Sequence, residues 1–438
     1  MRGPCARTAR AALVPALLAC AHAAGCGPAG DAGETRAPGA RGAAPGRGSA
    51  GGDASMTTPE VAADRSEYLF VWAGDADGGE SDFLAVLGAE PGSPAYGTVI
   101  ATAPVGLAGM AHHTEHVMPV GGHLFANSFR AGATFVFDLT DPERPEVASR
   151  LTSAGPYTYP HSYERLPGGN VLATFQNRGE GNRQPGGLVE LDPRGGFVRG
   201  ADAANDVEPG VRPYSLAVLP DRDRVVSTTT DMRSEAPTAT SVQIWRLSDL
   251  ALLYTIRLPE TPGNAHWLPA EPRVLPGGEV IVTTFACGLF LLEGVDSETP
   301  AARPVERFPW ENPRECALPV VLGRFWVQTN ATTHSLVTLD MSDPRDPFLV
   351  DRLDLAPDAE PHWISLEPGG DRIVVTGVGS LRGTVLLVRI DPATGELSLI
   401  EDFRDPGSAA PGVSFDRADW PHGAAGAAVP HGAVFSRR

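Results

Sequence analysis

The chain has 438 residues, 50 of them glycine and 41 proline, and a formal net charge of −18. The Gly/Pro load argues against a helical protein. The acidic balance, with no clustered Lys/Arg, lacks the cationic contacts on which phosphate-backbone binding rests, so nucleic acid is not an expected partner.

Arg2, Arg7 and Arg10 precede the small-apolar run AALVPALLACAHAAGC, which is too short to span a bilayer and has the shape of a signal peptide, expected over residues 1–25. Ala23-Ala24-Gly25 before Cys26 resembles a bacterial lipobox, in which Cys26 becomes the lipidated first residue. The expected location is therefore outside the cytoplasm, as a periplasmic or cell-surface lipoprotein that meets the membrane only through a lipid anchor, with simple secretion as the alternative. Residues 26–64 are rich in Gly, Ala and Pro and carry too little apolar surface to fold, so they read as a disordered tether. The folded domain is expected over 65–438.

That domain reads as all-β. Apolar alternation broken by turn residues recurs from about residue 66 to the end, and no stretch shows helical period. PHSYERLPGGNVLATFQ (160–176), PYSLAVLPDRDRVVSTTT (213–230) and PHWISLEPGGDRIVVTGV (361–378) share one grammar: an aromatic or histidine, a short apolar strand, a Pro/Gly/Asp turn and a second strand. Each is followed by another hairpin, and four strands per unit make a propeller blade. At roughly 40–50 residues per blade, six units fit between the chain ends, which supply the seventh. SEYLFVWAGD, SDFLAVLGAE and YGTVIATAPV give it three strands, and WPHGAAGAAVPHGAVFSRR gives the innermost one. The prediction is a seven-bladed β-propeller closed by pairing of the N- and C-terminal strands, which leaves no free sheet edge.

Laying the units on one another puts His113, His161, Tyr214, His266, Cys316 and His362 at the start of successive innermost strands, with His422 or His431 completing the ring. Innermost strands line the channel, so these positions converge on one mouth. A single histidine reads as a satisfied polar residue, but independent structural histidines have no reason to share one register of a repeat, and the set reads as a metal site. His112, adjacent to His113, can reach the same ion, whereas His116 and His123 fall outside the register and read as surface residues. Imidazole suits Zn, Cu, Fe and Ni, and a closed propeller hardly needs a structural zinc, so a redox-active metal is preferred. Tyr214 and Cys316 are candidate supporting or redox groups. Cys287 and Cys316, the only cysteines of the domain, read as small buried hydrophobes, with pairing left open because sequence does not show their Cα separation.

The pair His112-His113, then FVFDLTDPERPEV, then YPHSYERLPGGNVLATFQNRGEGNRQPGGLVELD, resembles the selenium-binding protein family, which includes bacterial methanethiol oxidases. SVQIWRLSDLALLYTIRL and SLVTLDMSDPRDPFLVDRL look like later blades of that family. The resemblance implies copper bound by His112, His113, His161 and either His422 or His431, and oxidation of methanethiol by O₂ and water to formaldehyde, hydrogen sulfide and hydrogen peroxide. The chain departs from the family in carrying TEHVMPVGG where the family has a cysteine-bearing stretch after the paired histidines, and PHGAVFSRR where the family terminus contains cysteine. His266 and His362 stand where the family tends to place other polar residues. The expected function is an exported copper-dependent oxidase of a small thiol. Two alternatives stay open: a non-catalytic, surface-anchored propeller that binds a metal or a partner, and a non-haem iron oxygenase, since four histidines on a propeller axis also suit iron.

Overall fold

Strands of about six residues, rich in Val, Leu, Phe and Trp and punctuated by Asp/Gly/Pro turns, can bury both faces only if sheets stack on one another, and the chain does this by closing a ring. The computed structural model describes residues 66–179, 181, 184–234, 238–307 and 315–437. The signal-peptide, Cys26 and tether readings lie outside those residues. Seven antiparallel sheets succeed one another around the ring. Their innermost strands are Ala111–Thr114, Tyr157–Arg165, Leu216–Leu219, Pro269–Val274, Pro319–Leu322, Ala359–Leu366 and Gly426–Phe435, and these define blades 1 to 7. The protein is an all-β, seven-bladed propeller.

Blade 7 is built from both ends of the chain. Tyr68–Asp75 lies between Phe83–Gly88 on one side and Gly426–Phe435 on the other, with Leu69 opposite Phe435 and Asp75 opposite Ala428. Closure needs close contact at the seam with blade 1. A Cβ on Gly432 would stand 2.6 Å from the Thr114 nitrogen and 2.8 Å from the His112 oxygen, so the two innermost strands approach more tightly than any side chain allows there. A buried ion pair adds a second clasp: Arg372 binds Glu367 at 2.6 Å, and the Ser66 N–H donates to the same carboxylate.

Apolar residues from neighbouring blades interleave to form the core. Trp72, Trp245, Trp326 and Trp363 are fully buried. Each indole N–H still finds an acceptor, respectively Asn127 O, Ser227 Oγ, Gln328 Oε1 and Ala433 O, so these large groups are buried without an orphaned donor. Cys287 and Cys316 form a disulfide with a Cα separation of 5.0 Å, joining blade 4 to the segment that enters blade 5. The two cysteines are buried, as expected, and the pairing that the sequence left open is made, because the turn after Val280–Thr284 brings Cys287 beside the blade 5 entry, where the Glu315 N–H donates to Phe285 O.

A histidine cluster at the channel axis

Side chains alternate between the two faces of a regular strand, so neighbouring residues such as His112 and His113 should point apart. They do not. In blade 1, Ala111 pairs with Ser128 and Thr114 with Ala126, so three steps on the inner strand oppose two on its partner. This is a β-bulge, and it re-aims a side chain. The same shift occurs at Pro160–Tyr163, Pro269–Pro272, Pro361–Ile364 and Pro430–Ala433. Side chains of the next strand satisfy the amides that the irregularity frees: Asn127 Oδ1 accepts from His113, Thr174 Oγ1 from Ser162, Thr228 Oγ1 from Ser215 and Thr329 Oγ1 from Ala317. The equivalent positions are therefore His112, His161, Tyr214, Ala270, Cys316, His362 and His431.

Four of those seven are histidines, and the bulge adds His113 as a fifth. The rings of His112 and His113 stack at 4.2 Å and 5°, with His161 5.0 Å from His112 and 4.4 Å from His113. His431 lies 4.4 Å from His112, and His362 lies 4.9 Å from His431. Ligating atoms of His112, His113 and His161 lie within 4.8 Å of one another, and so do those of His112, His362 and His431. The first set is fully buried, whereas His362 and His431 are half-buried.

The expected ring is corrected at several positions. His266 stays out: Gly263 takes a left-handed φ of 72° in a tight turn, the strand starts only at Pro269, and Ala270 takes the register position. The His266 ring instead accepts from the Thr261 amide and neighbours Trp267. His422 is also excluded, since its ring bonds Thr102 Oγ1 at 2.8 Å and packs on Phe83 in the body of blade 7. Cys316 holds its register position, but its sulfur is bonded to Cys287 and is not a free redox thiol. Tyr214 does adjoin the cluster, 4.0 Å from His161. His116, read as a surface residue, stacks on Trp363 at 4.8 Å inside the channel. His123 begins the strand His123–Ser128 and bonds Gly121 O, away from the cluster. One signal in the sequence identifies most of the true positions: proline directly precedes His161, Tyr214, Ala270, His362 and His431. It precedes His422 as well, so proline alone does not separate His422 from His431.

The chemistry of the cluster is that of lone pairs without partners. Among the described residues five buried histidine ring nitrogens have no hydrogen bond: His422 Nε2, in the body of blade 7, and four in the cluster, His112 Nδ1, His113 Nε2, His161 Nε2 and His431 Nδ1. A buried polar atom left unpaired costs about 1–3 kcal/mol, and four in one place call for a ligand. Burial, reinforced by the other histidines, holds His112, His113 and His431 far below the usual imidazole range. Burial likewise brings His161 down to about 3 and His362 to about 4. All five are neutral at neutral pH, the form in which imidazole ligates. His161 is further fixed because its Nδ1 lies 2.8 Å from the Tyr214 carbonyl, so that nitrogen carries the proton and Nε2 carries the lone pair. The donor set fits a nitrogen-preferring transition metal.

Fold and site together define a class: a seven-bladed propeller whose clustered histidines can chelate a metal ion at its centre. No protein-family model matches the chain. Over 128 residues it is 33% identical to a methanethiol oxidase from Hyphomicrobium, a match covering 28% of this chain and 29% of that protein. Among solved structures, a hypothetical selenium-binding protein from Sulfolobus tokodaii superposes with a TM-score of 0.67 at 16% identity, covering 86% of this chain and 94% of that one. The periplasmic gluconolactonase of Pseudomonas aeruginosa gives 0.58 at 15%, covering 84% and 99%. The structural likenesses establish the fold. The partial sequence match is a distant likeness to a methanethiol oxidase over less than a third of either chain.

Proposed function

We propose that the protein is an exported copper-dependent oxidase acting on a small thiol. The observation that carries this reading is the set of four buried, unpartnered imidazole nitrogens on the axis. His112, His113 and His161 are the proposed ligands, with His431 as the C-terminal imidazole beside them. Copper, when bound, supplies affinity for a soft thiolate and one-electron exchange with O₂. The disulfide Cys287–Cys316 supports export, because thiols in the cytosol are kept reduced. The partial likeness to a methanethiol oxidase supports the thiol class.

The chain's own contribution is positioning and exclusion of water. The Tyr214 carbonyl orients His161, and the Ser162 hydroxyl lies 3.2 Å from His113 Nδ1 and 3.0 Å from His161 Nδ1. Trp363 and Phe129 wall the cluster with apolar surface, 5.0 Å from His113 and 5.6 Å from His112. The Tyr214 hydroxyl is buried and unpartnered, and burial, with the Glu271 carboxylate, raises its pKa well above the usual value, so it keeps its proton and is free to donate a hydrogen bond. The half-buried His362 and His431 mark the side from which a substrate arrives.

The test is metal analysis of protein exported under copper-replete and iron-replete conditions, followed by O₂ uptake and peroxide production with methanethiol. Copper retention with thiol-dependent O₂ uptake supports the proposal. Iron retention points to the oxygenase alternative, and metal retention without turnover to a binding platform.

A further inference from the structure

Two triads of histidines share one member. His112, His113 and His161 are all buried, while His362 and His431 are half-buried, yet each pair comes within coordinating range of His112. The ring contacts have the same shape: His112 touches His113, His161 and His431, whereas among the histidines the His362 ring contacts only His431. Unpartnered nitrogens occur on both sides, at His113 and His161 on the inner side and at His431 on the outer. An ion at the inner triad is surrounded by side chains that are 0–1% exposed.

We propose that the cluster holds two overlapping coordination positions, a buried resident position of His112, His113 and His161 and an outer receiving position of His112, His362 and His431, and that ions load and leave through the outer one. Since His112 belongs to both, the positions are alternative rather than additive, and the protein holds one ion tightly. The outer triad exchanges water ligands for imidazole one at a time, and His112 carries the ion inward. This inference rests on the metal-centre part of the proposed function and is independent of thiol oxidation.

A residue on the path but absent from the resident position has a distinct kinetic signature. Its removal slows uptake and release by the same factor, leaving their ratio, the affinity, unchanged. The experiment uses full-length metal-free protein, cupric ion supplied as its glycine complex, release into excess EDTA, and tryptophan quenching as the signal, Trp363 being 5.0 Å from His113. For His362→Ala, and for His362→Asn as a variant that keeps a polar group, we expect uptake and release both slowed about 10-fold and affinity unchanged within about 2-fold. For His161→Ala we expect affinity to fall by at least about 10- to 100-fold, the loss that follows removal of even an outer-shell partner of a ligand, with faster release. If both His362 variants lose affinity as severely as His161→Ala, the five histidines form a single site and the two-position scheme fails. Unchanged rates in both variants would also overturn it. Absence of methanethiol oxidation in copper-loaded parent would defeat the oxidase reading but leave these rates as they are.

Discussion

Trp363 touches two polar groups in the same channel, and they are built on opposite principles. On one side lies the histidine cluster, with five neutral rings and four unpartnered nitrogens. On the other, toward the C-terminal ends of the innermost strands, a cavity of about 330 Å³ is lined by residues including Glu115, His116, Glu164, Arg165 and Arg273. There charge is paired: Arg165 with Glu115 at 2.7 Å, and Arg273 with the buried Glu271 at 2.8 Å. Ser215 donates to Glu271 at 2.6 Å, and Arg273 Nη2 lies 3.2 Å from His116 Nε2. The charged group at this end has most of its partners within the protein, with Glu271 Oε1 and Ser365 Oγ left unpaired. The upper group lacks them, which is what makes it a candidate metal centre.

Acid should separate the two ends most strongly. The upper histidines have folded pKa values far below the unfolded value of about 6.5, so below that pH the unfolded chain binds more protons and stability falls as pH falls. Each contributes a loss of roughly 1.4 kcal/mol per pH unit between about 6.5 and its folded value, which is about 4 for His362. Glu164 works in the other direction, because burial raises it to about 7 and its folded form takes up a proton first as pH falls. Burial also raises Asp82, Glu115 and Glu271, but the five cluster histidines and His116, all lowered, outnumber these four carboxyls, and denaturant midpoints of metal-free protein should drop from pH 7 to pH 5. A flat profile there would mean that the rings are hydrated and the contrast is lost.

Substitution sharpens the comparison further. Glu271→Ala strands Arg273 beside a buried void and should lower stability by about 3 kcal/mol, read by denaturant unfolding, while metal affinity stays near that of the parent. His161→Ala should do the converse. Metal affinity falls by at least about 10- to 100-fold, equivalent to about 1.4–2.7 kcal/mol or more, while β-sheet circular dichroism is unchanged. Weak metal binding in Glu271→Ala with native circular dichroism would show that the two ends are one functional unit. The smallest effects belong to His266→Ala and His422→Ala. Both rings lie outside the cluster, and metal content measured after chelation and reloading should match the parent in each.

Much of this was legible in the sequence because a propeller repeats itself. The hairpin grammar of 160–176, 213–230 and 361–378 and the split of blade 7 between the chain ends follow from strand-and-turn patterning alone. So does the convergence of His161 and His362 on the axis. Three positions differ from the sequence reading by alignment. His113 was aligned where His112 belongs, His266 where Ala270 belongs, and His422 competed with His431, because a bulge of one residue or a tight turn changes alignment without changing composition.

The sequence by itself determined the all-β class, the number of blades, the closure between termini and the richness of the axis in imidazole, since each depends on periodicity and on residue types that recur. Only the tertiary structure decided which imidazoles meet. The bulge at Ala111–Thr114 turns His112 and His113 to the same side, the register of Gly426–Phe435 against Tyr68–Asp75 selects His431, and the turn after Val280–Thr284 places Cys287 within bonding distance of Cys316. These outcomes rest on long-range pairing between strands and blades, and a shift of one residue there moves a side chain from the axis to the sheet interior.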